Sequence, residues 1–360
     1  MECLRYAFRV NSASEEIAVP QDPSQVDRKS ALRRALLFAA KATLAVAIVI
    51  YLVRTQRLGL SRLLPAFYSP GELLAALGIL VALPFIVSYR WRLLLHHLKF
   101  DVHWADAVRL TFIGVFFDTF MPGGTSDVVR GYYFDRKFQP QRRIVAASSL
   151  VVDRFISIMA LVLLACFALG LRVRSIRDDP ALQTVALIAG AAGLVFLLIF
   201  IFLCAGGNPG RNLLVKCAAR FKAAGVAVRI YDAFRGYQRG AGLLLKALVL
   251  SLGCQLLAVL CFVLLAHALG EVRLTLSDYI YLVPVGLIVA QIPISVGGIG
   301  VGHVAFYSLF RMAGSNLGAE LFSLFIVIRF IAALPGLFFF FKAGRRPAMP
   351  CLTVAAQSGE

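Results

Sequence analysis

Several stretches of about twenty residues in this chain carry almost no charge, and this feature limits its possible folds more than any other. A helix of about twenty apolar residues is long enough to cross a hydrocarbon core of about 30 Å. Apolar residues make up 60% of the 360 residues and charged residues 16%, too few to cover a water-soluble domain of this size. The sequence therefore predicts an all-α integral membrane protein, a polytopic helical bundle with about six full spans: 35–53, 72–89, 147–170, 182–204, 246–267 and 319–341.

The net charge of +18 comes mainly from Lys and Arg in the connections between the apolar stretches. Positive charge in such connections is typical of loops that stay in the cytoplasm during membrane insertion. Because no basic stripe or known binding motif accompanies it, we do not expect a nucleic-acid partner. The seven cysteines show no CxxC spacing, so neither a disulfide framework nor a zinc site is expected. Nucleotide and metal motifs are also missing from the sequence, which predicts no cofactor.

Two further apolar stretches, 108–121 and 279–312, are interrupted by Pro and Gly. The connection 205–246 holds eight lysines and arginines, and a full crossing by 108–121 would place it outside the cell. That arrangement conflicts with the preference for positive charge in cytoplasmic loops. We therefore predict two re-entrant hairpins, 108–135 and 279–312, which enter from opposite sides and return to the side of entry.

The same topology predicts a multi-pass protein of the bacterial inner (plasma) membrane with both termini in the cytoplasm. Polar tails over 1–34 and 343–360 would flank a membrane domain over 35–342. Basic and apolar residues are mixed in 205–246, which is typical either of an amphipathic helix on the anionic inner leaflet or of a plain cytoplasmic linker.

The two hairpins and their flanking spans form a candidate inverted repeat. Span 72–89, the first hairpin and span 147–170 run in the opposite sense to span 246–267, the second hairpin and span 319–341. Transporters built from inverted repeats with broken helices place their binding site near the bilayer midplane. The alternative is a chance placement of two glycine-rich kinks.

The breaks imply a polar cavity, because lipid cannot hydrogen-bond the backbone groups that a break leaves unpaired. The segment "PGGTSD", 122–127, begins a helix containing Arg130, and helix starts of this kind attract anions. Arginine inside a span costs roughly 2.5–3.5 kcal/mol on insertion scales, so Arg154 and Arg329 indicate function by default. A lipid phosphate is the obvious anion. The predicted headgroup-binding residues are Arg130, Arg154, Arg329, Asp127, Asp153, Gly123, Gly124, Gly297, Gly298 and His303.

Structural alternatives stand beside two of these arginines. Arg154 follows Asp153 and could be an interfacial residue that pairs locally. Arg130 follows Asp127 by three residues, the spacing of an ordinary helix ion pair.

Three other polar side chains have competing interpretations. Asp118 either pairs with one of the arginines or faces water in the hairpin cavity. His303 could be a hydrogen-bonded structural residue rather than a ligand-binding one. Arg90, in "YRWRLLLHHL", is expected to anchor the second span at the interface, where Trp and basic residues commonly lie.

At these motifs the chain resembles the lysylphosphatidylglycerol synthase transmembrane-region family, also described as the flippase-like domain. Their order and spacing fit the family over roughly residues 35–342. The matching segments are "YRWRLL" (89–94), "FMPGGTSDVVRGYYF" (120–134), "SLVVDRF" (149–155), "IPISVGGIGVGHVAF" (292–306) and "VIRFIAALPG" (327–336).

The resemblance implies a polytopic inner-membrane domain that, in aminoacyl-phospholipid synthases, moves modified lipid between leaflets. In those proteins a soluble cytoplasmic domain performs the aminoacyl transfer. Since no such domain follows residue 342 here, we do not expect synthesis of lysyl-lipid from this chain. The family often has Gly-Glu where this chain has Ser126 and Asp127, which retains a carboxylate. It often has an acidic residue where His303 stands, so its headgroup preference does not carry over.

We therefore expect a lipid transporter that binds an anionic phospholipid or lipid-linked headgroup and moves it between leaflets, and not an enzyme. Without a nucleotide site, the movement would be downhill or ion-coupled. One alternative is a membrane-embedded lipid-modifying enzyme, for which His303 near Ser295 is the sparse candidate for chemistry. Another is a non-catalytic subunit of a lipid or glycolipid synthesis complex, with a lipid-synthesis enzyme as its partner.

Overall fold

The computed structural model describes residues 60–120, 125–137, 143–170, 180–205, 237, 240–291 and 298–344, and within them the chain is helical without any strand. The predicted all-α class is therefore confirmed. A 3-10 helix, Leu60–Tyr68, precedes nine α-helices in these ranges: α1 (Pro70–His97), α2 (Trp104–Phe120), α3 (Thr125–Lys137), α4 (Arg143–Gly170), α5 (Pro180–Ala205), α6 (Ala241–Ala268), α7 (Leu276–Ala290), α8 (Val301–Met312) and α9 (Gly318–Gly344).

Four of the described helices are long and apolar enough to cross a membrane, and they agree with four of the six predicted spans. A fifth prediction, 182–204, lies within the long helix α5. The sixth, 35–53, lies outside the described residues, as do the tail over 1–34 and nearly all of the tail over 343–360. Most of the connection 205–246 is outside them as well. The four membrane-length segments are Pro70–His97, Ser148–Gly170, Gly242–Ala268 and Gly318–Lys342.

Helix α1 continues well beyond the predicted end of its span at residue 89 and ends at His97. Trp91, Leu94 and Leu95 are fully buried, and their spacing puts them on one side of the helix. Because this apolar side of α1 is buried against neighbouring helices, the helix continues past residue 89. Consequently Arg90 lies within a helix that is packed against its neighbours, seven residues before the end of that helix.

Each of the two interrupted stretches forms a pair of short antiparallel helices. In the first pair, the ring of Phe100, just before α2, meets Phe134 near the end of α3 at 5.5 Å. In the second pair, Tyr279 near the start of α7 meets Phe310 near the end of α8 at 5.9 Å. We call α2–α3 the first hairpin and α7–α8 the second hairpin.

The packing of the two hairpins agrees with the predicted repeat. Helices α1 and α6 run antiparallel, with Cys261 Sγ 3.8 Å from the carbonyl oxygen of Ala76. Helix α2 of the first hairpin packs against α9, and α7 of the second hairpin packs against α4. Each hairpin thus lies against the last span of the other half.

Glycines permit two close backbone approaches around the hairpins. A methyl group at Gly336 of α9 would lie 2.2 Å from the carbonyl oxygen of Phe112 and 2.7 Å from Cβ of Phe116, both on α2. Before α8, Gly298 and Gly300 have φ of 78° and 90°, a conformation that other residues rarely adopt. A methyl group at Gly298 would also meet the carbonyl oxygen of Ala290 at 2.8 Å.

Gly336→Ala should destabilise the protein, because the new methyl group can be accommodated only by moving α2 away from α9. Overpacking of this kind typically costs about 1–3 kcal/mol. Thermal unfolding of the purified protein in detergent should therefore show a lower midpoint. The matched control is Gly78→Ala, in helix α1, where a methyl group would meet nothing within 4 Å. An equal loss in both variants would contradict the close packing of α2 on α9.

Candidate functional site

A buried ion pair links three helices at the end of the bundle where α1 ends and α4 begins. Arg90 Nε of α1 donates to Asp153 Oδ1 of α4 at 2.8 Å, and Arg90 Nη1 donates to the Ser251 hydroxyl of α6. The two charged side chains are only 4% and 5% exposed. Charges removed from solvent to this extent are tolerated only when they are paired and hydrogen bonded.

Arg130 of α3 extends this pair into a larger network. Its Nη1 lies 3.6 Å from Asp153 Oδ2 and 3.7 Å from Asp127 Oδ1. The guanidinium lies over the Trp91 ring, 4.3 Å from its centroid, a cation–π contact that adds to the attraction. Trp91 is itself held by a 3.1 Å hydrogen bond from Nε1 to Ser149.

The guanidinium of Arg130 has hydrogen-bonding capacity that the protein does not use. Its Nε and Nη2 are buried and have no hydrogen-bond partner, although the residue is only 4% exposed. Buried donors are nearly always satisfied in folded proteins. Gly114 of α2 makes room for this side chain, since a methyl group there would lie 2.7 Å from Arg130 Cδ. The site thus holds a cation with two nitrogen atoms, Nε and Nη2, available to an acceptor.

Asp127 links this buried cluster to a more exposed arginine. Its Oδ2 lies 3.9 Å from Arg154 Nε, and the Arg154 side chain is 40% exposed. Arg154 therefore pairs across to α3, and not with its sequence neighbour Asp153. We call Arg90, Arg130, Arg154, Asp127 and Asp153 the arginine cluster.

A second ion pair lies at the tip of the first hairpin. Arg329 Nη2 of α9 is 2.9 Å from Asp118 Oδ2 of α2, so of the two alternatives for Asp118 the structure shows the pairing with an arginine. These side chains are more open than the Arg90–Asp153 pair, at 28% and 24% exposed. Asp118 Oδ1 has no hydrogen-bond partner.

Tyr237 closes the cluster on one side. It is fully buried, donates to the Leu94 carbonyl oxygen at 3.3 Å and stacks on His97 with centroids 5.5 Å apart. Burial raises the pKa of its phenol, and the negative charge of Asp153 raises it further. The hydroxyl therefore stays protonated and uncharged at physiological pH.

The predicted site residues fall into three groups. Those gathered in the arginine cluster are Arg130, Arg154, Asp127 and Asp153, while Arg329 pairs with Asp118. Gly123, Gly124 and Gly297 lie outside the described residues.

Gly298 and His303 lie at the start of α8 in the second hairpin. His303 is 4% exposed; its Nδ1 accepts from the Gly300 N–H at 3.2 Å, and its Nε2 lies 3.0 Å from the Ser323 hydroxyl. Its ring also meets Phe322 edge to face at 5.0 Å. These contacts fit the structural alternative for His303, and none of them joins it to the arginine cluster.

Sequence reasoning missed the role of three residues. The expectation that Arg90 anchors a span at the interface is wrong, because Arg90 is 3% exposed and sits inside the bundle. Ser251, a buried hydroxyl in an apolar span, was a usable signal, since such a group requires a partner. Gly114 could not be recognised, because its importance arises only from the approach of Arg130.

Arg90→Met should destabilise the protein strongly, because it leaves the buried carboxylate of Asp153 without its closest partner. Breaking a buried pair in this way typically costs about 3–5 kcal/mol. The matched control is Arg109→Met, whose pair with Asp106 at 3.4 Å involves an arginine side chain that is 40% exposed. That change should cost less than about 1 kcal/mol. Denaturant unfolding in mixed micelles measures both, and similar losses would argue against a structural role for the Arg90–Asp153 pair.

The comparisons with known proteins bear on the whole bundle. The family model described as "Lysylphosphatidylglycerol synthase TM region" matches residues 38–339. Searches of the curated proteins and of the solved structures find no match. The matched region contains every described helix up to the last turn of α9. It also contains the arginine cluster and the Asp118–Arg329 pair. The chain therefore belongs to the lysylphosphatidylglycerol synthase transmembrane-region family, a membrane domain linked to lipid handling.

Proposed function

We propose that this protein binds an anionic phospholipid or lipid-linked headgroup at the arginine cluster and moves it between the leaflets of the bacterial inner membrane. The observation that carries the proposal is Arg130, a buried cation with two unpartnered guanidinium nitrogens. A phosphate offers several acceptor oxygens and a negative charge to such a group. Family membership supports a lipid as the source of that phosphate.

A second observation supports movement beyond simple binding. The Asp118–Arg329 pair lies near the middle of α9, away from both ends of that helix. Arg329 is roughly 16 Å along the axis from Gly318, at ~1.5 Å per residue. If α9 spans the bilayer, this pair lies near the midplane, where charge is retained mainly for function. A headgroup leaving Arg130 would then meet a second arginine on its way across.

The proposed path requires the first hairpin to be re-entrant, with the connections before α2 and after α3 on the same side of the membrane. The short lengths of α2 and α3 and their antiparallel packing support this arrangement. We place both termini and this hairpin's base in the cytoplasm, because the most basic connections then remain inside.

Transport should depend on the two arginines that lie along the path. In liposomes containing a fluorescent phosphatidylglycerol, Arg130→Ala and Arg329→Ala should each slow the exchange of lipid between leaflets by at least about tenfold. Loss of hydrogen bonds to a charged group, worth roughly 1.5–3 kcal/mol, is sufficient for this effect. Leaflet accessibility to a membrane-impermeant quencher gives the rate.

Arg311→Ala is the control for that assay. Arg311 is exposed on α8 and donates to Tyr307 at 2.9 Å, outside the arginine cluster, so its removal should leave the rate unchanged. Wild-type rates in both arginine variants would reject the proposed site. If the purified protein instead converts the labelled lipid to a new product, the lipid-modifying enzyme replaces the transporter.

Cysteine labelling tests the re-entrant hairpin directly. In a background without native cysteines, Asp101→Cys before α2 and Gln141→Cys after α3 should react with a membrane-impermeant maleimide from the same side. Arg273→Cys, in the α6–α7 connection, should react from the opposite side. Labelling of the first two positions from different sides would show that the first hairpin crosses the membrane.

A further inference from the structure

We infer that the arginine cluster selects a headgroup with a single negative charge, a phosphodiester, over a doubly charged phosphomonoester. This inference rests on the proposed function and adds the class of lipid. It follows from how the charges of the site are paired, which the distances between the side chains reveal.

Two of the arginines are already neutralised by close carboxylates. Arg90 pairs with Asp153 at 2.8 Å, and Arg329 pairs with Asp118 at 2.9 Å. At these distances the pairs are charge-assisted hydrogen bonds, in which each carboxylate offsets the charge of its arginine. Asp153 Oδ2 also faces Arg130 Nη1 at 3.6 Å, but its single negative charge is already counted against Arg90.

The positive and negative charges that remain in the arginine cluster are unequal in number. Arg130 and Arg154 share one carboxylate, Asp127, at 3.7 Å and 3.9 Å, distances too long for good hydrogen bonds. The group of three side chains therefore carries one uncompensated positive charge. The unpartnered Nε and Nη2 of Arg130 show where a neutralising anion would make its hydrogen bonds.

One negative charge balances this group, and two would not. A phosphodiester carries a single charge and brings the site to neutrality. A phosphomonoester carries close to two charges above its second pKa of about 6, and the surplus would remain in a buried environment, where unpaired charge is costly. The carboxylate of Asp127 is thus the residue that sets the charge preference.

The test compares two lipids that have the same labelled acyl chains and differ in the phosphate. The purified full chain in micelles at about pH 9 is titrated with tail-labelled phosphatidylglycerol, a phosphodiester, and with tail-labelled phosphatidic acid, a phosphomonoester that is largely dianionic there. The wild type should bind phosphatidylglycerol at least about fivefold more tightly. Equal or tighter binding of phosphatidic acid would overturn the inference.

Two variants move the site charge in opposite directions. Asp127→Asn adds one positive charge and should shift the preference toward phosphatidic acid by about tenfold. Arg154→Gln removes one positive charge and should weaken phosphatidylglycerol binding by about tenfold; Arg154 is partly exposed, so folding should tolerate the change. An unchanged lipid preference in Asp127→Asn would overturn the inference. Should that variant fail to fold, the wild-type ratio and Arg154→Gln decide.

Asp106→Asn is the matched control, because it removes a carboxylate from the same hairpin, near the start of α2 and outside the arginine cluster. It should leave both affinities unchanged. Displacement of the labelled lipid by glycerophosphoglycerol, the deacylated headgroup, at equal concentration would show that a soluble phosphodiester suffices, and would overturn the assignment to a lipid.

The outcomes also separate this inference from the proposed function. If neither lipid binds saturably, or if Arg130→Ala binds both as the wild type does, the proposed site itself fails. If both lipids bind in an Arg130-dependent manner and phosphatidic acid binds at least as well, only the charge selectivity fails.

Discussion

The buried pair between Arg90 and Asp153 is the interaction on which the rest of the site depends. It joins α1 to α4, and through Ser251 it also holds α6. By occupying Asp153, it leaves Arg130 with only long contacts to carboxylates. A fixed pair in the interior therefore keeps a neighbouring cation partly unsatisfied, as a binding site for an anion requires.

The two hairpins have similar geometry but different chemistry in the described residues. The first hairpin supplies charged side chains that meet partners on α1, α4 and α9. The second packs through aromatic rings: Phe306 stacks on Phe262 and Phe322 at about 5 Å, and Gly302 lies against Phe322. Within the described residues, the first hairpin is thus the more polar element, and the second packs largely through apolar side chains. Among the described contacts none joins His303 to the arginine cluster, and Gly123, Gly124 and Gly297 lie outside the described residues.

The parts predicted correctly from the sequence are those set by local composition. Long uncharged stretches indicated the spans, and the Pro and Gly interruptions indicated that each of the two other apolar stretches holds two short helices; their re-entrant course stays a prediction. Arg154 and Arg329 were noticed because charge in an apolar stretch is costly wherever it lies, and Arg130 because it follows a helix start of the kind that attracts anions. Which carboxylate pairs with which arginine depends on helix packing, so the link from Arg329 to Asp118 remained one of two alternatives. Arg90 was misassigned because a Trp and basic residues at the end of a span have the same composition whether they face lipid or protein.

The contact at Gly336 has a mechanical consequence. With no side chain between them, α9 and α2 touch through backbone atoms, and the Asp118–Arg329 pair joins the same two helices farther along. Two such attachments leave little freedom for one helix to slide or roll on the other. If the bundle rocks, the first hairpin and Arg329 would then move together as one body. The distance between Arg130, on that hairpin, and Arg329 would stay constant while the helices around them move.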